Sequence, residues 1–349
     1  MANLNRFRLR RGNPGADRLF AVTFAALALA TLVPVAVLRG MDGRLDGLSR
    51  LLVAIDVIAL PAAVAVFAEH FGRSRWLAVF AFPLAWNVAL GRGDLLFATA
   101  LPFMLLAIRA IDLSVGRAAD PSDGRPAASR FIAALAPLLL AFFLHPVPFL
   151  VALVVGALVV VARGRAGIAA CALGAAATVA FLDLRLVHAT WQRIGISLEK
   201  GSGADPPLDA LHELHRRVII TWPERGDDLV LMGLALAWLL VAGVAAERVR
   251  DDDAAGGRLR ALIPEAGFVL AAVAYFLVPR RFDFFGDMRL QLLPIAALFG
   301  ATLARGPIAG WRRALLLPAI LAALVYPIQL AGRPFPVGVA RPAALGGAP

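Results

Sequence analysis

The run "LLVAIDVIALPAAVAVFAE" at residues 51–69 carries charge only at Asp56 and at its last residue, Glu69. A bilayer core is crossed by about 20 predominantly apolar residues, each rising 1.5 Å in an α-helix. Of the 349 residues in the chain, 60% are hydrophobic, and the mean hydropathy is +0.77. Soluble globular chains are much less apolar. The run predicts a membrane-spanning helix, and the composition predicts an integral membrane protein.

Comparable apolar runs recur along the chain with mostly short connections. They lie at about 19–38, 51–69, 76–90, 94–112, 131–144, 147–162, 166–184, 228–246, 261–279, 288–304 and 312–330. Since two of them are short for a full crossing, the pattern predicts an all-α, polytopic membrane helix bundle of about 9–11 transmembrane helices. No region is polar and long enough for a soluble core, so residues 1–349 are predicted to form one integral membrane domain.

The formal net charge of +11 comes from arginines in the connections between the apolar runs. Short segments on one side of the predicted bundle collect most of them, including Arg73, Arg163 and Arg305. By the positive-inside rule that side faces the cytoplasm of a bacterial inner membrane, with the N-terminus inside. Topology thus explains the charge without a nucleic-acid partner. The first run, 19–38, exceeds the usual signal-peptide length and is predicted to be a retained anchor.

Motifs for several kinds of chemistry are missing from the sequence. It has no Gly-rich phosphate loop, no G-x-S-x-G elbow and no HExxH helix, so ATP-driven chemistry is not indicated. Cys171 is the single cysteine, which excludes a disulfide framework and a cysteine metal site. His212 and His215 share a helix face in an outer amphipathic loop predicted at about 185–227, but zinc requires more ligands. Neither a metal nor a cofactor is predicted.

With this topology, residues that are unusual in a membrane protein collect on the outer side. The polar or charged residues there include Asp42, Arg44, Asp46, Asn87, Arg92, Asp94, His145, Asp283, Asp287 and Arg289. Charged groups at membrane depth are costly and typically mark functional cavities. The outer face is therefore the candidate binding face, and membrane lipids are its expected partners.

Structural explanations exist for each of these residues. Asp287 could cap the helix that follows it, and Arg289 could extend to lipid headgroups or hold an anion. His145, between Leu144 and Pro146, could fill a turn or bind a ligand. Asp56, inside the second run, could bond to another helix or belong to a proton-coupled pathway.

Two stretches and a short motif carry a resemblance to a known group. The stretches are "FAFPLAWNVALGRGDLLFATALPFMLLAIRA" at 80–110 and "LLLAFFLHPVPFLVALVVGALV" at 138–159, and the motif is "DMRL" at 287–290. Together they resemble poorly characterised multi-pass bacterial membrane proteins related to the GT-C glycosyltransferase fold. In that group an aromatic-Pro run leads to Trp or Asn, a later helix ends in His-Pro, and a late helix opens with an acid-x-Arg-Leu motif.

The resemblance implies sugar transfer from a polyprenyl-phosphate donor on the outer face. It implies that an acid in the first outer loop, here Asp42 or Asp46, acts as general base. It further implies that arginines hold the donor phosphate, for which Arg289 is the first candidate and Arg92 a second contact. Asp287 and His145 would complete the substrate-binding set.

Two other classes of function stay open at this stage. A transporter or lipid flippase is favoured by Asp56 and by the prolines that interrupt several runs. A non-catalytic membrane assembly protein is favoured by the first outer loop, because its dozen or so residues are fewer than the resembling group usually has. The sequence leaves the sugar, the acceptor and the oligomeric state open.

Overall fold

The computed structural model describes residues 14–37, 39–40, 47–87, 90, 94–117, 127–165, 226–245, 259–278, 281–282, 286–331 and 334–335. The predicted span at 166–184 and the predicted outer loop at 185–227 lie almost entirely outside these residues.

The described chain is helical, with four two-residue strands. Its α-helices are α1 (Pro14–Val37), α2 (Gly47–His70), α3 (Ala81–Ala85), α4 (Leu95–Arg117), α5 (Ala127–Leu144), α6 (Pro146–Ala162), α7 (Gly226–Ala245), α8 (Ile263–Leu277), α9 (Met288–Ala301) and α10 (Leu317–Ala331). Two 3-10 helices, Arg75–Phe80 and Gly310–Leu316, precede α3 and α10. The strands are β1 (Arg39–Gly40), β2 (Arg281–Phe282), β3 (Gly286–Asp287) and β4 (Pro334–Phe335), paired β1 with β4 in parallel and β2 with β3 antiparallel.

Three of the described helical segments are long and apolar enough to cross a membrane: Ser49–His70, Leu95–Gly116 and Gly310–Leu330. Shorter apolar segments fill much of the remaining bundle: Arg75–Ala85, Leu135–Leu144, Pro146–Ala162, Val230–Val244, Ile263–Leu277 and Gln291–Ala301. For the described residues, the prediction of a mainly helical chain with segments long and apolar enough to span a membrane is confirmed.

Helix α2 shows how the apolar runs become a bundle. Val53, Val57, Leu60 and Val64 are fully buried, and their spacing of three or four places them on one face. On the opposite side Leu51 remains 55% exposed. Exposed large apolar side chains recur on α5, α7 and α8, where a soluble protein would carry polar groups. Such a surface is favourable in the hydrocarbon interior of a membrane.

The predicted span at 76–90 is built differently from a single helix. The 3-10 helix Arg75–Phe80 passes directly into the five-residue α3, and every residue from Trp76 to Asn87 is buried. Pro83 lacks an N–H and cannot bond to the carbonyl of Val79, which disfavours a continuous α-helix. This irregular backbone lies inside the protein, packed against α2, where membrane proteins tolerate it.

Three helices run in the same direction and define two ends of the bundle. Asp94 and Asp112 lie near the two ends of α4, 18 positions or about 27 Å apart at 1.5 Å per residue. Helix α6 begins after His145 and ends before Arg163. Helix α9 has Gln291 in its first turn and Arg305 shortly beyond its end. We call the side of Asp94, His145 and Gln291 the Asp94 end, and the side of Asp112, Arg163 and Arg305 the arginine end.

Candidate functional site

Three side chains from different helices meet at the Asp94 end. The amide nitrogen Nε2 of Gln291 lies 3.0 Å from Asp94 Oδ2 and 3.3 Å from His145 Nε2. His145 Nε2 is 3.9 Å from the same carboxylate oxygen. We call these three residues the Asp94 cluster. It joins positions that are up to 197 residues apart in the chain.

Helix starts bring the cluster together. Asp94 Oδ1 accepts the backbone N–H of Phe97 at 3.2 Å, which satisfies a donor in the first turn of α4. His145 is the N-cap of α6, and its Nδ1 accepts the N–H of Val147 at 3.2 Å. Because helix starts need acceptors from the side chains before them, the chain places a carboxylate and an imidazole at this end.

The two ring nitrogens of His145 have different neighbours. Nδ1 accepts the N–H of Val147, so the neutral ring carries its proton on Nε2. The 3.3 Å approach of the Gln291 amide nitrogen to Nε2 then brings two donors together and is a contact, not a hydrogen bond. The ring of Phe97 packs edge-on against the His145 ring, with 5.3 Å between centroids. Burial lowers the pKa of His145 from its ordinary value, and the nearby charge of Asp94 opposes this effect. A neutral imidazole beside a carboxylate can take part in proton transfer.

The carboxylate of Asp94 is accessible. Its side chain is 32% exposed, compared with 14% for His145. The cluster can therefore offer a carboxylate oxygen to a molecule arriving at this end, with the amide of Gln291 fixing its orientation.

Arg289, the predicted anion-binding residue, is 1% exposed. Its Nε donates to the carbonyl of Val278, the residue that caps the C-terminal end of α8, at 3.3 Å. A cation favours the partial negative charge of a helix C-terminus. Arg289 and Gln291 are two positions apart, about 200° around α9, so they point to different sides of that helix. The structure thus connects Arg289 to α8, in the same first turn that supplies Gln291 to the cluster.

The remaining predicted site residues are only partly covered. Asp287 ends β3, whose backbone pairs with Arg281, and its side chain lies outside the described part of the chain. Asp42, Asp46 and Arg92 also lie outside it. Their predicted roles stay predictions.

Gln291 was not predicted as a site residue. In "MRLQLLP" it is the one uncharged polar side chain, and an isolated amide in a membrane segment could have identified it. Its partners Asp94 and His145 could not be assigned to it from spacing, because they lie in other helices.

A fully buried carboxylate organises part of the arginine end. Asp112 accepts from His70 at 2.7 Å, from Arg260 Nε at 2.7 Å and from Arg163 Nε at 2.9 Å. Its side chain has no exposed surface. Arg260 also donates to the carbonyl of His70 at 2.9 Å. We call these four residues the Asp112 cluster; they connect α2, α4, the end of α6 and the approach to α8.

A second acid at the arginine end is shared by two arginines. Glu265 accepts from Arg73 Nη2 at 2.6 and 2.8 Å, and from Arg305 Nη2 and Nε at 2.6 and 2.8 Å. Arg73 Nη2 also donates to the carbonyl of Ala261 at 2.7 Å. Burial lowers the pKa of Arg73 from its ordinary value, and Glu265 opposes this. We call Arg73, Glu265 and Arg305 the Glu265 cluster.

Asp56 occupies a different environment from these acids. It is fully buried in α2, and neither of its carboxyl oxygens has a hydrogen-bond partner in the described structure. Bonding to another helix, one of the two expectations for Asp56, is therefore not seen. Within the described ranges, no group of three or more His, Cys, Asp or Glu side chains is arranged to hold a metal ion.

Comparisons with known proteins add no relative: no protein-family model, no curated protein and no solved structure matches this chain.

Proposed function

We propose that the chain is a polytopic inner-membrane protein related to the GT-C fold, and that it transfers a sugar from a polyprenyl-phosphate donor at the Asp94 end. One observation carries this proposal. Asp94 and His145 come from the stretches 80–110 and 138–159, and Gln291 directly follows the motif at 287–290. Those are the three places at which the chain resembles the GT-C-related group, and the three side chains at or beside them meet in one cluster.

Membrane insertion is supported by the surface of the bundle. Phe143 is 76% exposed, Leu277 75% and Met232 67%, which is favourable in lipid and costly in water. The arginine end would face the cytoplasm and the Asp94 end the outside, as the positive-inside rule favours.

In the proposed reaction the acceptor hydroxyl attacks the anomeric carbon of the donor sugar. The bond between that carbon and the phosphate oxygen breaks, and polyprenyl phosphate leaves. The hydroxyl proton goes to a carboxylate within hydrogen-bond reach. Asp94 is a partly exposed carboxylate in the described structure at this end, so we assign it this role.

The resemblance implies Asp42 or Asp46 as the base instead. The loop that contains them connects β1 to the start of α2. Because α2 ends at His70, at the arginine end, its start lies at the opposite, Asp94 end. All three acids are compared in one assay.

The test uses protein purified in detergent and returned to vesicles. Lipid-linked sugar that copurifies would first be identified by mass spectrometry, and its transfer to an added acceptor then measured. We expect Asp94→Asn to lower transfer by about 10²–10⁴-fold while the bound lipid is retained. Asp17→Asn, at an exposed ion pair with Arg75, is the matched control and should transfer at the parent rate.

Each outcome decides something definite. If Asp42→Asn or Asp46→Asn abolishes transfer and Asp94→Asn does not, the base is in the first loop. If no lipid-linked sugar copurifies and no variant changes transfer, the glycosyltransferase proposal is wrong.

Transport is the second candidate, favoured by Asp56. A buried acid without a partner in a membrane helix is typical of proton pathways. In vesicles with an imposed pH gradient, parent protein should then dissipate the gradient and Asp56→Asn should not. Equal dissipation by the two proteins, or none by either, would exclude this role for Asp56.

A further inference from the structure

An apolar groove of about 260 Å³ opens between α7, α8, α9 and the buried segment 75–85. Its walls include Leu231, Leu234, Trp238, Phe268, Ala297 and Gly300. The indole Nε1 of Trp238 donates to the carbonyl of Gly300 at 2.9 Å, which holds α7 against α9. Because that N–H is used internally, the groove presents an almost wholly apolar surface.

Two of the segments that line the groove also carry residues of the Glu265 cluster. On α8, Phe268 follows Glu265 by three residues, so the two share a helix face. At the end of α9, the wall residue Leu303 is followed two positions later by Arg305. Arg305 is bonded to Glu265, and its side chain remains 34% exposed. The arginine end of the groove is therefore bordered by an accessible guanidinium.

The charge at this border is positive. Glu265 is shared by Arg73 and Arg305, and Asp112 by Arg163 and Arg260. Two carboxylates thus face four arginines, an excess of two positive charges among these six groups. An anion beside Arg305 would reduce this excess.

We propose that the groove and Arg305 together bind one anionic phospholipid. Its acyl chain lies along Trp238 and Phe268, and its phosphate contacts Arg305. An apolar channel next to a cation fits the two parts of such a lipid, and basic pockets between membrane helices are established lipid-binding features. A peptide backbone would find few polar partners in the groove. The inference rests on the proposed membrane location and is independent of sugar transfer.

Native mass spectrometry in detergent micelles tests this binding. The protein would be delipidated and titrated with phosphatidylglycerol or phosphatidylcholine of the same chain length. We expect one phosphatidylglycerol to be retained preferentially. Arg305→Gln should weaken that retention about tenfold, the size of one charge-assisted hydrogen bond. Arg75→Gln, at the ion pair with Asp17 on α1, should leave retention unchanged.

A groove-filling variant tests the apolar part independently of Glu265. Ala235 lines the groove on the exposed side of α7, so Ala235→Trp should block the chain with little effect on folding. Leu236→Trp, at the next position and 55% exposed, is the matched control because Leu236 does not line the groove. The midpoint of thermal unfolding, measured for all variants, separates lost binding from lost structure.

The proposal is overturned if the two lipids bind equally, or if well-folded Arg305→Gln and Ala235→Trp retain phosphatidylglycerol like the parent. It is also overturned if millimolar inorganic phosphate displaces the lipid completely, since the site would then be one for free phosphate. A protein that purifies without detergent would refute the membrane location itself, which is a different failure.

Discussion

The two ends of the bundle use charge in opposite ways. At the arginine end, Asp112 and Glu265 are each bonded to two arginines, and Asp112 has no exposed surface. At the Asp94 end, Asp94 is bonded to an amide and to a backbone N–H, lies near an imidazole, and stays about one-third exposed. A carboxylate surrounded by cations holds helices together, whereas an accessible carboxylate with mainly neutral neighbours is available to a ligand.

The largest effect is expected at Asp112. Replacing it with Asn leaves Arg163, Arg260 and His70 without the negative charge that joins them. Breaking a buried ion pair in this way costs about 3–5 kcal/mol, and we expect the lower part of that range because Arg163 is partly exposed. Denaturant unfolding of the detergent-solubilised protein measures this loss.

Asp17 is the matched control for that substitution. Its side chain is 47% exposed in its ion pair with Arg75, and exposed pairs contribute about 0–1 kcal/mol. If Asp112→Asn and Asp17→Asn lower the free energy of unfolding equally, the ion pairs of Asp112 do not stabilise the helix packing at the arginine end.

An intermediate effect is expected at the contact between α8 and α9. Both helices run between the two ends of the bundle. A methyl group added at Gly267 would lie 2.6 Å from a ring carbon of the fully buried Phe299. Such overpacking typically costs about 1–3 kcal/mol. Gly267→Ala should therefore lower the free energy of unfolding, as measured by denaturant titration.

Gly243 on α7 provides the control, because an added methyl there meets nothing within 4 Å. Gly243→Ala should leave stability unchanged or raise it slightly, since alanine favours helix. Loss of sugar transfer in Gly267→Ala at full stability would show that the helix pair also positions the Asp94 cluster.

The smallest effect is expected from the titration of His145. Burial lowers the pKa of His145 in the folded protein, so below the ordinary value of 6.5 the unfolded chain binds more protons. This residue therefore contributes stability that is fully present above pH 6.5 and is lost as the pH falls toward the folded-state pKa.

Unfolding midpoints measured between pH 5 and pH 8 test that sign. His145→Asn keeps an N-cap acceptor for α6 but removes the titration, so its stability should fall less than the parent's between pH 7 and 5. An identical pH profile for the two proteins would mean that His145 is not held neutral in the folded state.

Much of the helix arrangement follows from the apolar runs. The run at 51–69 became α2 over Gly47–His70, and the run at 94–112 became α4 over Leu95–Arg117. Boundaries shifted where polar residues continue a helix beyond its apolar part. The prediction of a single helix at 76–90 was wrong. Pro83 interrupts the pattern of helical backbone hydrogen bonds, and the protein interior tolerates a 3-10 segment there.

The candidate site was less predictable. Asp94 and His145 stood out as polar residues on one side of the predicted topology, and the structure places their side chains 3.9 Å apart. Arg289 was also selected, and its Nε donates to the carbonyl of Val278 at the C-terminal end of α8; its role in anion binding stays a prediction. The direction of a side chain around a helix depends on which neighbour packs there, and a single sequence does not contain that information.

The sequence by itself determined that this protein is helical and apolar enough for a membrane, because chain length, hydropathy and the spacing of charges are properties of the linear chain. Only the tertiary structure decided which charges meet. Asp112 is bonded to Arg260, 148 residues away in the sequence, and Gln291 is bonded to Asp94, 197 residues away. Hydrogen bonds and ion pairs act over a few ångströms, so partners this remote are chosen by how the helices pack.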